Sequence, residues 1–538
     1  MITVWLNEAN FEYDIHSLVK AFYPGEEVKV FADGEKILKL EQECSPLFRL
    51  EVLCRRQGQG VQKTEGQEAG EVELLLYLPA EGKADTAFSE PPEELRISFH
   101  RSRKGKADAA FLELQGEYIL RMKQTAEVNF SDRKETKNRL KQTLYKMLSE
   151  YTGQTLPWGT LTGIRPTKIP LSMLERGKEE AKIRDYMANT YNTSEQKINL
   201  SIEIAKRELR LLQGIDYQKG YSLYVGIPFC PSICSYCSFS SFPIGGWRER
   251  TDDYLDALER ELEFAASFGS GKKLNTIYIG GGTPTTLSPR QLDRLLTKID
   301  RLFDFSDLLE YTAEAGRPDS VTGEKLKVLR DHGISRISIN PQTMKQETLD
   351  LIGRRHTPEQ TVESFWLARE LGFDNINMDL IVGLPGETIE DVRTTMERIR
   401  ELSPDNLTVH SLALKRAARL KMFPEDYQGF QMTNSWEIID LTAAYAKEMG
   451  MGPYYLYRQK NMAGNFENVG YARPGKAGLY NILMMEEKQS IIAVGAGSIS
   501  KRVYPDGCIE RCENVKDVSQ YIARIGEMIE RKRVLFED

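Results

Sequence analysis

Tyr224-Val225-Gly226-Ile227-Pro228-Phe229-Cys230-Pro231-Ser232-Ile233-Cys234-Ser235-Tyr236-Cys237-Ser238-Phe239 sets three cysteines on a short stretch directly after an apolar run. The run Ser222–Pro228 reads as a buried strand, so the C-x3-C-x2-C spacing puts three thiols on the loop that leaves it. Three thiolates can each take one iron of a 4Fe–4S cubane and leave the fourth iron open. A structural zinc site wants four protein ligands, and neither a fourth cysteine nor a histidine stands nearby. A closed ferredoxin-type cluster also wants a fourth thiolate. The expected cluster ligands are therefore Cys230, Cys234 and Cys237.

Working outward, apolar runs ending in Gly/Pro turns continue at Thr276–Gly280, Glu310–Ala315, Arg336–Asn340, Asn375–Leu384 and Asn406–Leu412. Amphipathic stretches such as Asp253–Ala266 and Pro289–Leu302 lie between them. Near-continuous apolar strands alternating with helices predict a parallel sheet. Six such units predict an open, partial (β/α)6 barrel with its ligand site at the C-terminal strand ends. The fold class is α/β, with an N-terminal α+β domain and a C-terminal mostly helical region. The expected domains are 1–215, 216–423 and 424–538, the last completing the active site. In the first, Glu27–Phe31, Glu71–Leu78 and Glu94–Phe99 read as strands, and Arg55–Gly70 as a mobile loop. Asp132–Tyr151 reads as a helix with Ser131 or Asp132 as N-cap and Leu140, Leu144, Met147 and Leu148 on one face. A helical region then runs to about Gly214. In the last domain the expectations are helices over Thr433–Met449 and Val515–Arg531 and a strand over Ser490–Val494.

A chain of 538 residues is too long for one ordinary domain. Its net charge of −7 argues against a general nucleic-acid binder, which needs a basic face. No apolar run approaches the roughly 18–20 residues that cross a bilayer, and the N-terminus lacks a charged segment followed by an apolar core. A cytoplasmic protein is expected, and in a reducing compartment cysteines serve as metal ligands more often than as disulfides.

The three-cysteine spacing resembles the hallmark of the radical S-adenosylmethionine (SAM) proteins. More narrowly, the block Tyr224 to Cys237 and Gly280-Gly281-Gly282-Thr283-Pro284-Thr285 resemble the oxygen-independent coproporphyrinogen III oxidase group. Thr162-Gly163-Ile164-Arg165-Pro166 and Pro453-Tyr454-Tyr455-Leu456-Tyr457-Arg458-Gln459-Lys460-Asn461 are similar to the HemZ-type coproporphyrinogen dehydrogenases. The resemblance implies a 4Fe–4S cluster whose open iron SAM chelates, with Tyr224, Gly281, Glu314, Ala413 and Ile499 as SAM contacts. It implies a second SAM at Gly282, Thr283, Gln342, Arg354 and Asp379. Further implications are a tetrapyrrole substrate and a small electron donor such as flavodoxin or ferredoxin. The porphyrinogen oxidases carry a histidine where Gly226 stands and a fourth cysteine where Phe239 stands. Phenylalanine there is shared with the heme-chaperone branch.

The expected reaction is oxidative decarboxylation of two propionates of coproporphyrinogen III to vinyl groups, giving protoporphyrinogen IX. A heme chaperone and a heme-degrading radical SAM protein are the competing readings. No catalytic residue is assigned. Arg165, Arg248, Arg317, Arg355 and Arg458 are candidate carboxylate clamps, since arginine pairs with carboxylates bidentately. Cys508 and Cys512 repeat the C-x3-C spacing without a third thiol and read as ordinary semi-exposed thiols, and Cys44 and Cys54 read as core or incidental. His16, His100, His332, His356 and His410 read as structural, and Tyr454, Tyr455 and Tyr457 as core or interface aromatics. Val494-Gly495-Ala496-Gly497-Ser498 lacks the third glycine of a dinucleotide fingerprint.

Overall fold

A computed structural model describes residues 1–32, 46–56, 69–79, 118–163, 165–269, 271–415, 417–427, 429–430, 432, 434–459 and 466–537. The chain divides into two compact units, Met1–Gly163 with Gly177–Asn199, and Ile164–Arg176 with Leu200–Asp538. No helix among the described residues is long and apolar enough to cross a membrane.

The first unit holds a five-stranded sheet of β1 (Ile2–Leu6), β2 (Val28–Phe31), β3 (Arg49–Arg56), β4 (Ala69–Pro79) and β5 (Tyr118–Asn129), in the order β2-β1-β3-β4-β5. β1 runs parallel to β2 and β3, and the pairings β3·β4 and β4·β5 are antiparallel. Alternation puts Val72, Leu74 and Leu76 of β4 on the core face. Helices Glu12–Phe22 and Arg133–Thr152 cover that core with Ile15, Leu18 and Val19 and with Leu140, Leu144, Met147 and Leu148. Asp132 is the N-cap of the second helix and accepts from the amides of Lys134 and Glu135. Of the loop expected over Arg55–Gly70, Arg55 and Arg56 instead finish β3 and Gly70 belongs to β4. The middle of that loop, the strand expected at Glu94–Phe99, Cys44 and His100 lie outside the described residues. The helical region expected up to Gly214 is three helices, Lys168–Glu175, Glu180–Tyr191 and Glu195–Leu211.

The second unit is built on β6 (Gly220–Ile227), β9 (Lys273–Gly281), β10 (Glu310–Gly316), β11 (Arg336–Ile339), β12 (Ile376–Val382) and β13 (Asn406–Ser411), parallel neighbours in chain order. A two-residue pair, β7 (Phe229–Cys230) with β8 (Phe242–Pro243), ties the cysteine loop to its own exit. The crossovers carry helices Thr251–Gly269, Pro289–Leu302, Gly323–Asp331, Pro358–Glu370 and Ile389–Leu402. Their starts follow local chemistry: Ser288 with Gln291, Thr357 with Gln360 and Thr388 with Asp391 form reciprocal capping boxes. This is the six-unit α/β framework the apolar runs predict.

The C-terminal region contributes helices Trp436–Glu448, Leu479–Glu486, Val518–Ala523 and Ile525–Phe536. It also contributes five strands, of which only Ser490–Val494 is visible in the apolar pattern. β14 (Gly452–Tyr457) and β15 (Asn468–Ala472) add antiparallel beyond β13. β16 (Ser490–Val494) lies parallel to β6 on the other side, followed by antiparallel β17 (Ile499–Val503) and β18 (Ile509–Glu513). The result is one eleven-stranded sheet with β14 and β18 as its end strands. The helix expected over Val515–Arg531 starts later, with Asp517 as N-cap, and breaks at Arg524.

A buried charge pair fastens this region to the parallel core. Glu261, in helix Thr251–Gly269, meets Lys532 at 2.5 Å with both side chains wholly buried. Its carboxylate also accepts from the Gly495 amide (2.7 Å), Asn514 (2.8 Å) and the Tyr521 hydroxyl (2.5 Å). A buried carboxylate stripped of its cation is costly, so Lys532→Met lowers unfolding stability in urea by about 3 kcal/mol. An unchanged denaturation midpoint would show that the pair does not hold the C-terminal helix.

Candidate functional site

The site begins where β6 and β9 end. Their strand-end loops approach through backbone alone: the Gly282 amide donates to the Ile227 carbonyl and the Thr283 amide to the Phe229 carbonyl, each at 2.7 Å. Gly281 has φ +107°, a left-handed conformation that favours glycine. A Cβ on Gly282 would lie 2.5 Å from the Phe229 carbonyl oxygen. The glycine triplet is what lets the two loops touch.

The cysteine loop is fastened on its other sides too. The Ser235 amide donates to the Ile352 carbonyl, and the Ser235 carbonyl accepts from the Leu420 amide. The Ser232 hydroxyl donates to the Gly353 carbonyl (2.9 Å). Arg317, 3% exposed and paired with Asp319, donates to the Ser232 hydroxyl and carbonyl and lies 3.9 Å from the Cys234 sulfur. The Thr283 hydroxyl lies 3.6 Å from the Cys230 sulfur. Cys230, Cys234 and Cys237 are free thiols. Burial pushes the Cys230 thiol up to about 11, against the Thr283 hydrogen bond and the Arg317 charge.

All three cysteines line one cavity of about 470 Å³. Tyr224, Gly281, Gly282, Thr283, Glu314, Gln342, Arg354, Asp379 and Ala413 line it as well. Ile499 does not. It begins β17 and is 47% exposed. Of the proposed arginine clamps only Arg317 lines the cavity. Arg165 is spent on Glu487 and the Met485 carbonyl, Arg248 and Arg355 are exposed, and Arg458 is buried away from the lining.

The carboxylates sit in contrasting surroundings. Glu314 is half-buried at the end of β10 and accepts from the Tyr278 hydroxyl at 2.6 Å. Burial raises its carboxyl to about 7, helped by the negative Asp379 and opposed by Tyr278 and Arg336. Burial works against the Asp379 carboxylate too, but hydrogen bonds and the charge of His410, with Asn377 and Thr408, hold it below the usual range. Asn377 donates to Asp379 at 2.7 Å, and His410 Nε2 lies 3.9 Å away. The Tyr457 hydroxyl meets His410 Nδ1 at 3.3 Å.

Gln342 has φ +68°. Its main-chain amide donates to the Asp379 carbonyl and its main-chain carbonyl accepts from Ile381, while its buried side-chain Oε1 has no partner. Arg354 donates to the Tyr236 hydroxyl (2.9 Å) and the Asn340 carbonyl (2.6 Å), and its Nε is without a partner. Orphaned buried polar atoms in a cavity wall are what a polar, charged ligand would satisfy. Among the described residues no three His, Cys, Asp or Glu side chains converge on a single metal ion. Three thiols on one loop fit a cluster that spreads its ligands over several irons.

The sequence reading missed the rest of the lining. Tyr278 and Tyr480 stack with the expected Tyr224 along one wall, with Tyr278 and Tyr480 centroids 4.5 Å apart. Arg336, Asn377, His410, Lys415, Tyr455, Tyr457 and Asn481 are among the other lining residues. A period of two gives a signal for some of them: Asn377 and Asp379 share a strand face, as do Thr408 and His410. Cys508 is exposed in the turn before β18 and Cys512 is half-buried on β18, so the pair forms no second cluster loop. Gly495 in the Val494–Ser498 turn spends its amide on Glu261.

Comparison with known proteins follows the same lines. A family model described as the radical SAM superfamily matches residues 224–399. The chain is 41% identical over 404 residues to the oxygen-independent coproporphyrinogen-III oxidase-like protein HemZ of Bacillus subtilis (strain 168), covering 74% of this chain and 81% of that protein. It is 33% identical over 316 residues to the heme chaperone HemW of the same organism, covering 57% and 76%. It is 35% identical over 196 residues to the oxygen-independent coproporphyrinogen III oxidase of Escherichia coli (strain K12), covering 36% and 42%. The solved coproporphyrinogen III oxidase (HemN) from Escherichia coli superposes with TM-score 0.47 at 26% identity, over 59% of this chain and 72% of that one.

Two outcomes follow from this geometry. Gly282→Ala pushes the cysteine loop away from the glycine loop, so the folded variant takes up less than half the iron and sulfide of the wild type on anaerobic reconstitution. Full incorporation would mean that the 2.5 Å approach is not needed. Glu314 binds its proton more tightly folded than unfolded, so its contribution is intact below its ordinary value of 4.5 and is lost as pH rises through about 7. Glu314→Gln should therefore be more stable than the ligand-free wild type at pH 8 by on the order of 2 kcal/mol, with the gap closing as pH falls to about 4.5. Melting curves across that range check it, and a pH-independent gap would contradict it.

Proposed function

The chain belongs to the radical SAM superfamily, in the oxygen-independent coproporphyrinogen III oxidase-like family of HemZ, and from that premise we propose that it oxidatively decarboxylates two propionates of coproporphyrinogen III to vinyl groups. The product is protoporphyrinogen IX, and each propionate gives up a hydrogen atom, CO₂ and one further electron. The observation that carries this reading is that the three cysteines and Glu314, Gln342, Arg354 and Asp379 line one cavity.

Cys230, Cys234 and Cys237 would hold the 4Fe–4S cluster, and Tyr224, Gly281, Glu314 and Ala413 the SAM beside it. Gly282, Thr283, Gln342, Arg354 and Asp379 would hold a second SAM. When bound, cluster and SAM together supply a carbon radical able to take hydrogen from an unactivated carbon. The protein's work is placement and exclusion. The glycine loop brings backbone donors and acceptors against a ligand without side-chain interference. Gln342 Oε1 and Arg354 Nε offer unspent hydrogen-bonding capacity. The tyrosine stack forms an aromatic wall for a flat macrocycle. Restricting water at such a site protects a reactive species from side reactions. We place the protein in the cytoplasm, reduced by a small protein such as flavodoxin or ferredoxin.

A second reading, a heme chaperone, is favoured by one observation. Phe239 stands beside the cluster loop, 71% exposed, with Lys415 over its ring at 5.5 Å, and phenylalanine at this position is shared with the chaperone branch. One anaerobic assay separates the readings. Reconstituted protein is supplied with reduced flavodoxin, SAM and coproporphyrinogen III, and the products are analysed for vinyl porphyrinogens. The proposed function predicts divinyl product from the wild type and none from Cys234→Ser. Stoichiometric heme binding with no decarboxylation would overturn it in favour of the chaperone.

A further inference from the structure

Three guanidinium groups line the cavity, and two of them are committed. Arg317 is held by Asp319 and Ser232, and Arg354 by Tyr236 and the Asn340 carbonyl. The third, Arg336, opens β11 opposite Thr312 of β10 and is 2% exposed. Its Nε has no hydrogen-bond partner, and no described carboxylate lies within ion-pairing distance of it. Burial works against the Arg336 charge, and the surrounding tyrosines and Glu310 hold its pKa above the usual value, but the Glu310 oxygens are taken by the Thr312 hydroxyl and the amides of Leu479 and Tyr480.

The space beside Arg336 is kept open by a glycine. A Cβ on Gly478 would stand 3.2 Å from the Tyr454 hydroxyl, 3.4 Å from Arg336 Cζ and 3.4 Å from Asn481 Nδ2. The Tyr454 side chain is wholly buried and its hydroxyl interacts with Asn481 and the Gly478 backbone. Arg336 and Asn481 therefore line the cavity side by side, and one of them carries a permanent positive charge. A buried cation without a partner is costly to the protein, and a planar guanidinium best repays that cost by binding a carboxylate. Glu314 and Asp379 make the neighbouring wall acidic, so an anionic ligand in this cavity needs a cation not already spent.

We infer that the cavity wall at the start of β11 is a carboxylate site, in which Arg336, flanked by Asn481, receives one carboxylate of the bound ligand. Two ligands could supply it: a propionate of a tetrapyrrole, or the methionyl carboxylate of SAM. Assigning it to the propionate rests on the function proposed above.

The test is binding, not turnover. Full-length protein with its cluster reconstituted is titrated anaerobically with coproporphyrin III, with its uncharged tetramethyl ester, and with SAM. Wild type, Arg336→Gln and Arg336→Lys are compared, read by the Soret band and by tryptophan fluorescence. Arg336→Gln is expected to weaken coproporphyrin III binding roughly tenfold or more, Arg336→Lys less, and neither to alter binding of the ester. Loss of SAM affinity with porphyrin affinity intact keeps the carboxylate site and assigns it to SAM. Unchanged affinity for both acids, or equal losses for acid and ester, overturns the inference. If Arg336→Gln fails to fold, Asn481→Leu in the same titrations decides, a several-fold loss for the acid being expected and no loss overturning. Should coproporphyrin III fail to bind the wild type, the function proposed above falls while the SAM titration still judges Arg336.

Discussion

The close approach of two backbone turns is the constraint on which the rest of the site depends. Parallel strands β6 and β9 lie side by side, so the loops leaving them must share one space at the C-terminal end of the sheet. They share it because Gly281 and Gly282 carry no side chains, and the hydrogen bonds from Gly282 to Ile227 and from Thr283 to Phe229 lock them together. That contact sets where Cys230 begins, and the anchors at Ile352, Gly353 and Leu420 set where the loop goes next. A cysteine loop without those supports would present three thiols with no fixed spacing. Preorganisation is bought here with backbone, not with side-chain packing.

Around that corner the cavity is graded in charge. Arg317 lies beside the Cys234 thiol, Glu314 and Asp379 stand on β10 and β12, and Arg336 opens β11. The two carboxylates experience the same burial and respond oppositely, because Asp379 has His410, Asn377 and Thr408 to hold its charge. Two nearby carboxyls pushed apart in proton affinity can hold different parts of a ligand, one as an ionised acceptor and the other as a neutral or ionised partner. The C-terminal region takes part directly, since Tyr455, Tyr457, Tyr480 and Asn481 all line the cavity. The Glu261–Lys532 pair joins the C-terminal helix to the helix that follows the cysteine loop.

Much of this was legible before any coordinates. Six apolar runs gave six parallel strands because a strand covered on both faces leaves an unbroken hydrophobic signature. Glu314 and Asp379 came from the family resemblance, and both fall within expected strands. The antiparallel additions were not legible. β14 and β15 are short, Pro453 and Gly470 interrupt their pattern, and their partners are remote in the chain. Ile499 was carried over by resemblance alone, and it is exposed outside the cavity lining. Arg336 was invisible for a different reason: a strand-initial arginine reads as solvated, and only its burial and missing partner distinguish it.

The central claim is that Cys230, Cys234 and Cys237 hold a cluster with one iron left open to SAM. Electron paramagnetic resonance of the anaerobically reconstituted, reduced protein, recorded with and without SAM, tests it most directly. The account predicts a reduced 4Fe–4S signal whose g values shift when SAM is added. A signal indifferent to SAM would mean that the open coordination site does not exist, and the account would fail with it.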